Sequence, residues 1–160
     1  MCLPALSDEN VIICPADGRV VDVQQGDFNG YAQRVSIFLS PLDVHVQWAP
    51  FTGVAQDIIY KKGTFSMAFL PKSSELNERN DVVFVDEHQR LVVVRQIAGT
   101  IARRICCWIS SGDSVVAGDK YGMIRFGSRV EIFLPAKVHI SVQKSERVYG
   151  GQTVLGSFTS

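Results

Sequence analysis

The sequence lacks any apolar stretch long enough to cross a bilayer, and it has no net charge. Its 160 residues contain 16 Lys+Arg and 16 Asp+Glu, whereas nucleic-acid-binding domains usually show a basic excess. We therefore expect no nucleic-acid partner. No apolar run approaches the ~18 residues of a transmembrane helix, and residues 1–10 lack the basic and apolar segments of a secretory signal peptide.

Cysteine is also scarce, with four residues at positions 2, 14, 106 and 107. None of them belongs to a Cys-x-x-Cys pair, and the adjacent Cys106 and Cys107 on a strand would point to opposite faces. The spacing therefore predicts no metal site. Reduced thiols in an intracellular protein are the simplest interpretation.

The residues that are present predict a single all-β domain, 1–160. Hydrophobic residues make up 46% of the chain, which is enough for a core. Runs rich in β-branched residues predict strands at 34–39, 82–85 and 91–95, with a hairpin turn at 86–90. At most one or two short helices are expected, the clearest at 73–79, where serines can cap the start.

Glycine recurs in a weak internal repeat whose units begin near Gly18, Gly53, Gly99 and Ser145. The unit resembles the hammerhead repeats of lipoyl and biotinyl carrier domains, which predicts two pseudo-repeated, mainly antiparallel halves packed as a sandwich. A carrier-like binding module is therefore a competing function. A carrier domain presents a lysine at an exposed hairpin tip, and the corresponding tip, 125–129, contains none.

Two stretches place a titratable residue in rigid backbone. Asp17 lies in Cys-Pro-Ala-Asp-Gly, which is a turn signal and also a position for a functional carboxylate. His45 lies in Ser-Pro-Leu-Asp-Val-His-Val-Gln-Trp-Ala-Pro, between two prolines. Such framing suits a general acid or base that must keep its geometry, although a lone histidine is often structural.

A third stretch, Tyr121 to Pro135, reads as a strand interrupted by Gly127-Ser128. Strand interiors normally exclude glycine. The interruption is consistent with a β-bulge. The dipeptide alone favours that bulge, and it also allows a serine that attacks the carbonyl of its own preceding glycine, since glycine tolerates the strained backbone that this attack requires.

Taken together, five ordered motifs resemble the phosphatidylserine decarboxylases, in particular their short prokaryotic branch. The motifs are PADGRV, SPLDVHV, KKGTFSMAFLPKSSELNER, QIAGTIARRI and YGMIRFGSRVEIFLP. The resemblance implies a proenzyme that cuts itself before Ser128, giving a β subunit of residues 1–127 and an α subunit of residues 128–160. Ser128 would become a pyruvoyl group that serves decarboxylation of phosphatidylserine to phosphatidylethanolamine and carbon dioxide.

The resemblance also implies roles for single residues. Gly127 and Ser128 form the cleavage site, Asp17 assists the cleavage, and His45 is the acid that protonates the product. Arg125, Arg129 and Trp48 are the predicted substrate-binding residues. Longer members of the family have a second histidine where this chain has Trp48, so either His45 serves both steps or Asp17 acts directly or through water.

Other readings stay open at this point. A homologue that folds without cleaving would carry the same motifs, and a related lipid such as archaetidylserine would fit the same chemistry. The resemblance implies a homodimer, and phosphatidylserine in a membrane is the expected partner. Three lysines around an apolar stretch at 61–72 indicate either peripheral binding on the cytoplasmic face of the membrane or a core strand with lysine ends. Relatives often carry an apolar anchor before the Pro-Ala-Asp-Gly motif, so the protein is either peripheral by itself or has an anchor outside this sequence.

Overall fold

The computed structural model describes residues 8–40, 42–63, 77–99, 105–124 and 128–159. These residues form antiparallel strands and contain no helix, which confirms the all-β prediction. The strands are β1 (Val11–Ile13), β2 (Gly18–Phe28), β3 (Tyr31–Leu39), β4 (Val46–Trp48), β5 (Gly53–Lys61), β6 (Arg79–Val85), β7 (Leu91–Ile97), β8 (Ile105–Cys107), β9 (Ser114–Val115), β10 (Lys120–Ile124), β11 (Ser128–Leu134), β12 (Val138–Ile140), β13 (Arg147–Val148) and β14 (Val154–Phe158).

The largest sheet has eight strands in the order β13-β2-β3-β11-β7-β6-β5-β9. Its two halves are alike. In each half a two-residue edge strand pairs with the start of a long strand that begins with glycine, Gly18 in β2 and Gly53 in β5. Each long strand then pairs antiparallel with the next strand inward, and β11 joins β7 at the centre. Two of the four repeat units read from the sequence, those at Gly18 and Gly53, begin these long strands.

Two three-stranded sheets, β1-β14-β12 and β4-β10-β8, accompany the large sheet. One hydrophobic cluster includes residues of all three sheets, among them Ile12, Val82, Tyr121 and Leu155. The Phe84 ring of β6 meets the Tyr121 ring of β10 edge to face, with centroids 5.3 Å apart. The core therefore lies between the inner face of the large sheet and the small sheets, as in a sandwich.

Local sequence explains the hairpins. Asn29 and Gly30 both have positive φ, as a two-residue turn of this hand requires, and they connect β2 to β3. The predicted turn at 86–90 connects β6 to β7, and the Asp86 carboxylate accepts hydrogen bonds from the backbone of His88 and Arg90.

The helix predicted at 73–79 lies largely outside the described residues, and its last residue, Arg79, instead begins β6. Across the described ranges, the structure has no helix that is long and apolar enough to span a membrane.

Candidate active site

Ser128 begins β11 and pairs with Leu39, the last residue of β3. Its side chain is only 1% exposed, and strand alternation places it on the inner face with Val130 and Ile132. The Ser128 Oγ has no hydrogen-bond partner among the described residues. Buried hydroxyls are normally hydrogen-bonded, so an unbonded one at the strand start is available for chemistry.

His45 lies at the same end of the large sheet as Ser128. Its carbonyl oxygen accepts hydrogen bonds from the Ile124 N–H, at 3.0 Å, and from Gln47 Nε2, at 2.8 Å. Ile124 ends β10 and Ser128 begins β11, and four residues of chain span at most about 14 Å. A second segment connects Leu39, the pairing partner of Ser128, to His45. These chain lengths set an upper limit on the distance between His45 and the start of β11.

The loop before His45 is fixed by Asp43, whose side chain is 4% exposed. Its Oδ2 accepts a hydrogen bond from the Ser40 N–H at 2.8 Å, and its Oδ1 accepts one from the Arg147 guanidinium. Burial by itself would raise the pKa of the Asp43 carboxyl. The hydrogen bonds from Ser40 and Arg147 outweigh burial and lower that pKa below its ordinary value.

A chain of three buried amide side chains supports His45 from the core. Asn80 donates to Gln96 Oε1 at 3.0 Å, Gln96 donates to Gln47 Oε1 at 2.8 Å, and Gln47 donates to the His45 carbonyl. Gln47 and Gln96 are fully buried and Asn80 is 2% exposed. The sequence reasoning missed this chain. Its signal is Gln96, which alternates with Val92 and Val94 on the apolar face of β7, where burial demands a polar partner.

Asp17 lies on the other side of β4 from the His45 loop. Ala16 forms a β-bridge with Gln47, and the Trp48 N–H donates to the Pro15 carbonyl at 2.9 Å. The Asp17 Oδ1 accepts a hydrogen bond from the Gly150 N–H at 2.8 Å. Because β2 and β11 both pair with β3, the backbones of Asp17 and Ser128 are about two strand spacings, ~10 Å, apart.

The Trp48 ring packs on the backbone of Gly150 and Gly151. A Cβ atom at Gly150 would overlap the ring, and one at Gly151 would lie 2.9 Å from Trp48 Cδ1. Gly151 also has a φ of 72°, which glycine adopts without strain. Trp48 thus packs β4 against the Gly150-Gly151 loop, whose Gly150 N–H donates to Asp17. Its contact with substrate stays a prediction.

The structure does not bring all the predicted site residues together. Arg129 follows Ser128 directly, so alternation directs it to the opposite face of the sheet, where its guanidinium lies 3.8 Å from Glu131. Its role toward substrate stays a prediction. Gly127, Arg125 and most of the basic segment 61–72 lie outside the described residues.

The fold and the site define an antiparallel β protein. A buried serine without a hydrogen-bond partner among the described residues starts a central strand, and a histidine lies in the loop that follows the neighbouring strand β3. The family model for phosphatidylserine decarboxylase matches residues 4–156. No solved structure matches the chain significantly.

Curated relatives agree with that match. The phosphatidylserine decarboxylase proenzyme of Nocardia farcinica is 42% identical over 93% of this chain. Those of Syntrophus aciditrophicus and Carboxydothermus hydrogenoformans are 41% and 46% identical over 94% and 93%. The matched part covers 66% of the first relative and 72% of the other two, so the chain spans about two thirds of their length. The chain belongs to the phosphatidylserine decarboxylase family, a family of decarboxylases.

The amide chain generates a first prediction. Gln96→Leu removes the central amide and leaves groups of Gln47 and Asn80 buried without partners, so we expect a loss of about 1–3 kcal/mol in the free energy of unfolding. Urea denaturation measures this loss. Gln152→Leu, at an exposed position, is the control and should change stability by less than about 0.5 kcal/mol. Equal effects of the two substitutions would contradict a structural role for the chain.

The Asp43–Arg147 pair generates a second prediction, on pH. Because the pKa of folded Asp43 is lower than the ordinary 3.8, the pair contributes its full stability above 3.8 and loses it as pH falls through the lowered value. Arg147→Gln should therefore flatten the decline in unfolding free energy between neutral and acidic pH. Arg19→Gln alters the cross-strand neighbour of Arg147 and should keep the wild-type pH profile. If Arg147→Gln leaves the pH dependence of the unfolding free energy unchanged, the Asp43–Arg147 pair is not the source of the decline at acidic pH.

Proposed function

We propose that this chain is a proenzyme that cleaves itself between Gly127 and Ser128 and then decarboxylates phosphatidylserine to phosphatidylethanolamine. The single observation that carries the proposal is the buried Ser128 hydroxyl, which has no hydrogen-bond partner among the described residues and lies directly after a glycine. Membership of the phosphatidylserine decarboxylase family supplies the reaction.

The cleavage uses only groups of the chain. The Ser128 Oγ attacks the Gly127 carbonyl carbon and gives up its proton to a base, and the Gly127–Ser128 amide bond breaks as an ester forms and the Ser128 nitrogen takes up a proton. Loss of the Ser128 α-proton then expels the Gly127 carboxylate and leaves dehydroalanine. Tautomerisation and hydrolysis of this residue release ammonia and leave a pyruvoyl group at position 128.

The pairing of residues 128–159 supports a stable cleaved product. β11 lies between β3 and β7, β13 pairs with β2, and β14 pairs with β1. Each pairing joins the segment after the proposed cut to the segment before it. The fragments 1–127 and 128–160 therefore remain associated without the peptide bond.

A pyruvoyl group fits the residue environment at position 128. The inner face there is apolar, with Leu39 and Val130 fully buried, so a small ketone replaces the serine side chain without burying a new charge. Such a group supplies an electron sink for the carboxylate carbon of an amino acid headgroup. His45, held by its backbone carbonyl and by the rigid Asp43 loop, delivers the proton that replaces carbon dioxide.

Asp17 is the proposed orienting or basic group in cleavage. Only its Oδ1 is engaged in a hydrogen bond, to Gly150, among the described residues. Trp48 occupies the position of the second histidine of longer family members and packs against Gly150-Gly151, so cleavage depends on Asp17, on His45, or on both.

Substrate binding and assembly complete the proposal. Arg125 and Arg129 flank the cleavage site in sequence and are the proposed guanidinium partners of the headgroup. Because the Arg129 side chain lies on the opposite face of β11 from Ser128, Arg129 can contribute only from the rim of the sheet, toward the phosphate. We further propose that the cleaved protein is a homodimer and acts on lipid at the cytoplasmic membrane surface. Archaetidylserine differs only in its lipid tail and is a second candidate substrate.

Ser128→Ala should abolish cleavage, because the nucleophilic oxygen is gone. Wild-type protein should run as two fragments on a denaturing gel and as one species in native size-exclusion chromatography. Ser36→Ala is the matched control, since Ser36 is equally buried in the neighbouring strand β3, and it should cleave normally. A Ser128→Ala protein that is still cut at this bond would contradict the proposed nucleophile.

His45→Asn tests the proton donor. The amide cannot supply a proton at neutral pH, so decarboxylation of phosphatidylserine by cleaved protein should fall by about 10²–10⁴-fold. His139→Asn, on the exposed side of β12, should retain wild-type turnover. Cleavage of the His45 variant assigns the earlier step to Asp17, and failed cleavage assigns both steps to His45. Undiminished turnover by cleaved His45→Asn protein would remove His45 from the mechanism.

A further inference from the structure

A line of basic side chains crosses the end of the large sheet that carries Ser128. Residues directly opposite each other on paired strands lie on the same face. The pairings Arg147–Arg19, Arg19–Phe38, Phe38–Arg129, Arg129–Ile97, Ile97–Arg79 and Arg79–Lys61 join seven strands in one line. We name its basic members, Arg147, Arg19, Arg129, Arg79 and Lys61, the cationic row.

The cationic row lies at the rim of the sheet and not at its centre. Arg79 is the first residue of β6, Lys61 is the last of β5, and Arg19 and Arg129 are the second residues of β2 and β11. Ser128 precedes Arg129 at the same rim. With strands ~4.8 Å apart, the row extends over about 30 Å. Long basic side chains at a rim can reach a surface that meets the sheet end-on.

Much of the charge of the row is free for a partner. Arg19 and Lys61 are exposed and form no ion pair with any described residue, and the Arg19 guanidinium donates to the Ser145 carbonyl at 2.9 Å. Two acids do engage the row: Asp43 pairs with Arg147, and Glu131 lies 3.8 Å from Arg129. Five basic side chains form the row and two acids pair with it, so the row itself keeps a net positive charge.

Exposed apolar side chains lie at the same rim. Leu42 is 97% exposed and Val44 is 52% exposed, both on the loop that follows β3, and Phe38 is 42% exposed within the line itself. The opposite end of the sheet carries charges of both signs, with Glu87 and an Asp86–Arg90 ion pair in the β6–β7 turn and Asp27 beside the β2–β3 turn.

We propose that this rim docks on an anionic phospholipid bilayer, with the cationic row on the headgroup phosphates and Leu42 and Val44 in the interface. Basic residues beside exposed apolar ones are the combination that binds such surfaces. The inference deepens the proposed function, since docking at this rim brings a lipid headgroup to Ser128. Binding itself requires no reaction and is measured separately from it.

The test is co-flotation of the full chain with vesicles of phosphatidylglycerol mixed with phosphatidylcholine, which contain no substrate. Each basic residue near an anionic surface strengthens partitioning about fivefold, so Arg19→Gln/Lys61→Gln should weaken it by about 30-fold. Lys120→Gln/Lys137→Gln removes the same charge from exposed positions outside the row and should bind like wild type. Arg19→Lys/Lys61→Arg keeps the charge and should also bind.

Three results would overturn the proposal. The first is equal binding by Arg19→Gln/Lys61→Gln and Lys120→Gln/Lys137→Gln, and the second is equal binding of wild type to vesicles of pure phosphatidylcholine. The third is displacement of wild type from the vesicles by inorganic phosphate at the same concentration as the lipid phosphate. Binding should also fall as salt shortens the range of the attraction.

Turnover of dispersed short-chain phosphatidylserine separates membrane docking from the proposed decarboxylation. The row variant should retain it while losing turnover on vesicles, whereas failure of the proposed function removes turnover on both without changing flotation.

Discussion

The pairing of β11 on both sides is the constraint on which the rest of the structure depends. Arg129 to Phe133 pair with β3 and also with β7, whereas Ser128 pairs only with β3. The strand is therefore anchored one residue after the proposed cut and leaves the serine at the boundary of the sheet. Such an anchor holds a nucleophile in place before cleavage and holds the new end in place afterwards.

The polar groups around that boundary are held in place by hydrogen bonds to other groups of the protein. The chain from Asn80 through Gln96 and Gln47 reaches the His45 carbonyl, and Arg147 and Ser40 fix Asp43 in the loop before it. Since each buried amide or carboxylate has its hydrogen-bond partner, the loop has little freedom to rearrange. A histidine in such a loop keeps its position through both proposed reactions.

Local sequence patterns predicted the strands and turns, because these features depend on neighbouring residues. Runs of β-branched residues located β3, β6 and β7, the turn at 86–90 followed from its polar residues, and Gly127-Ser128 marked a strand boundary at Ser128. Long-range pairings were beyond such patterns. Arg147 and Asp43 are 104 residues apart, and Gln47 and Gln96 are 49 apart. Arg129 was predicted beside Ser128 by adjacency in sequence, while alternation on the strand separates the two side chains.

The central claim is that position 128 becomes a pyruvoyl group, and the mass of the smaller fragment tests it most directly. The account predicts a fragment 128–160 whose mass is that of a pyruvoyl in place of the N-terminal serine, which resists N-terminal sequencing and takes up hydride on treatment with borohydride. A fragment with an intact, sequenceable serine, or a single uncut chain of 160 residues, would contradict the account.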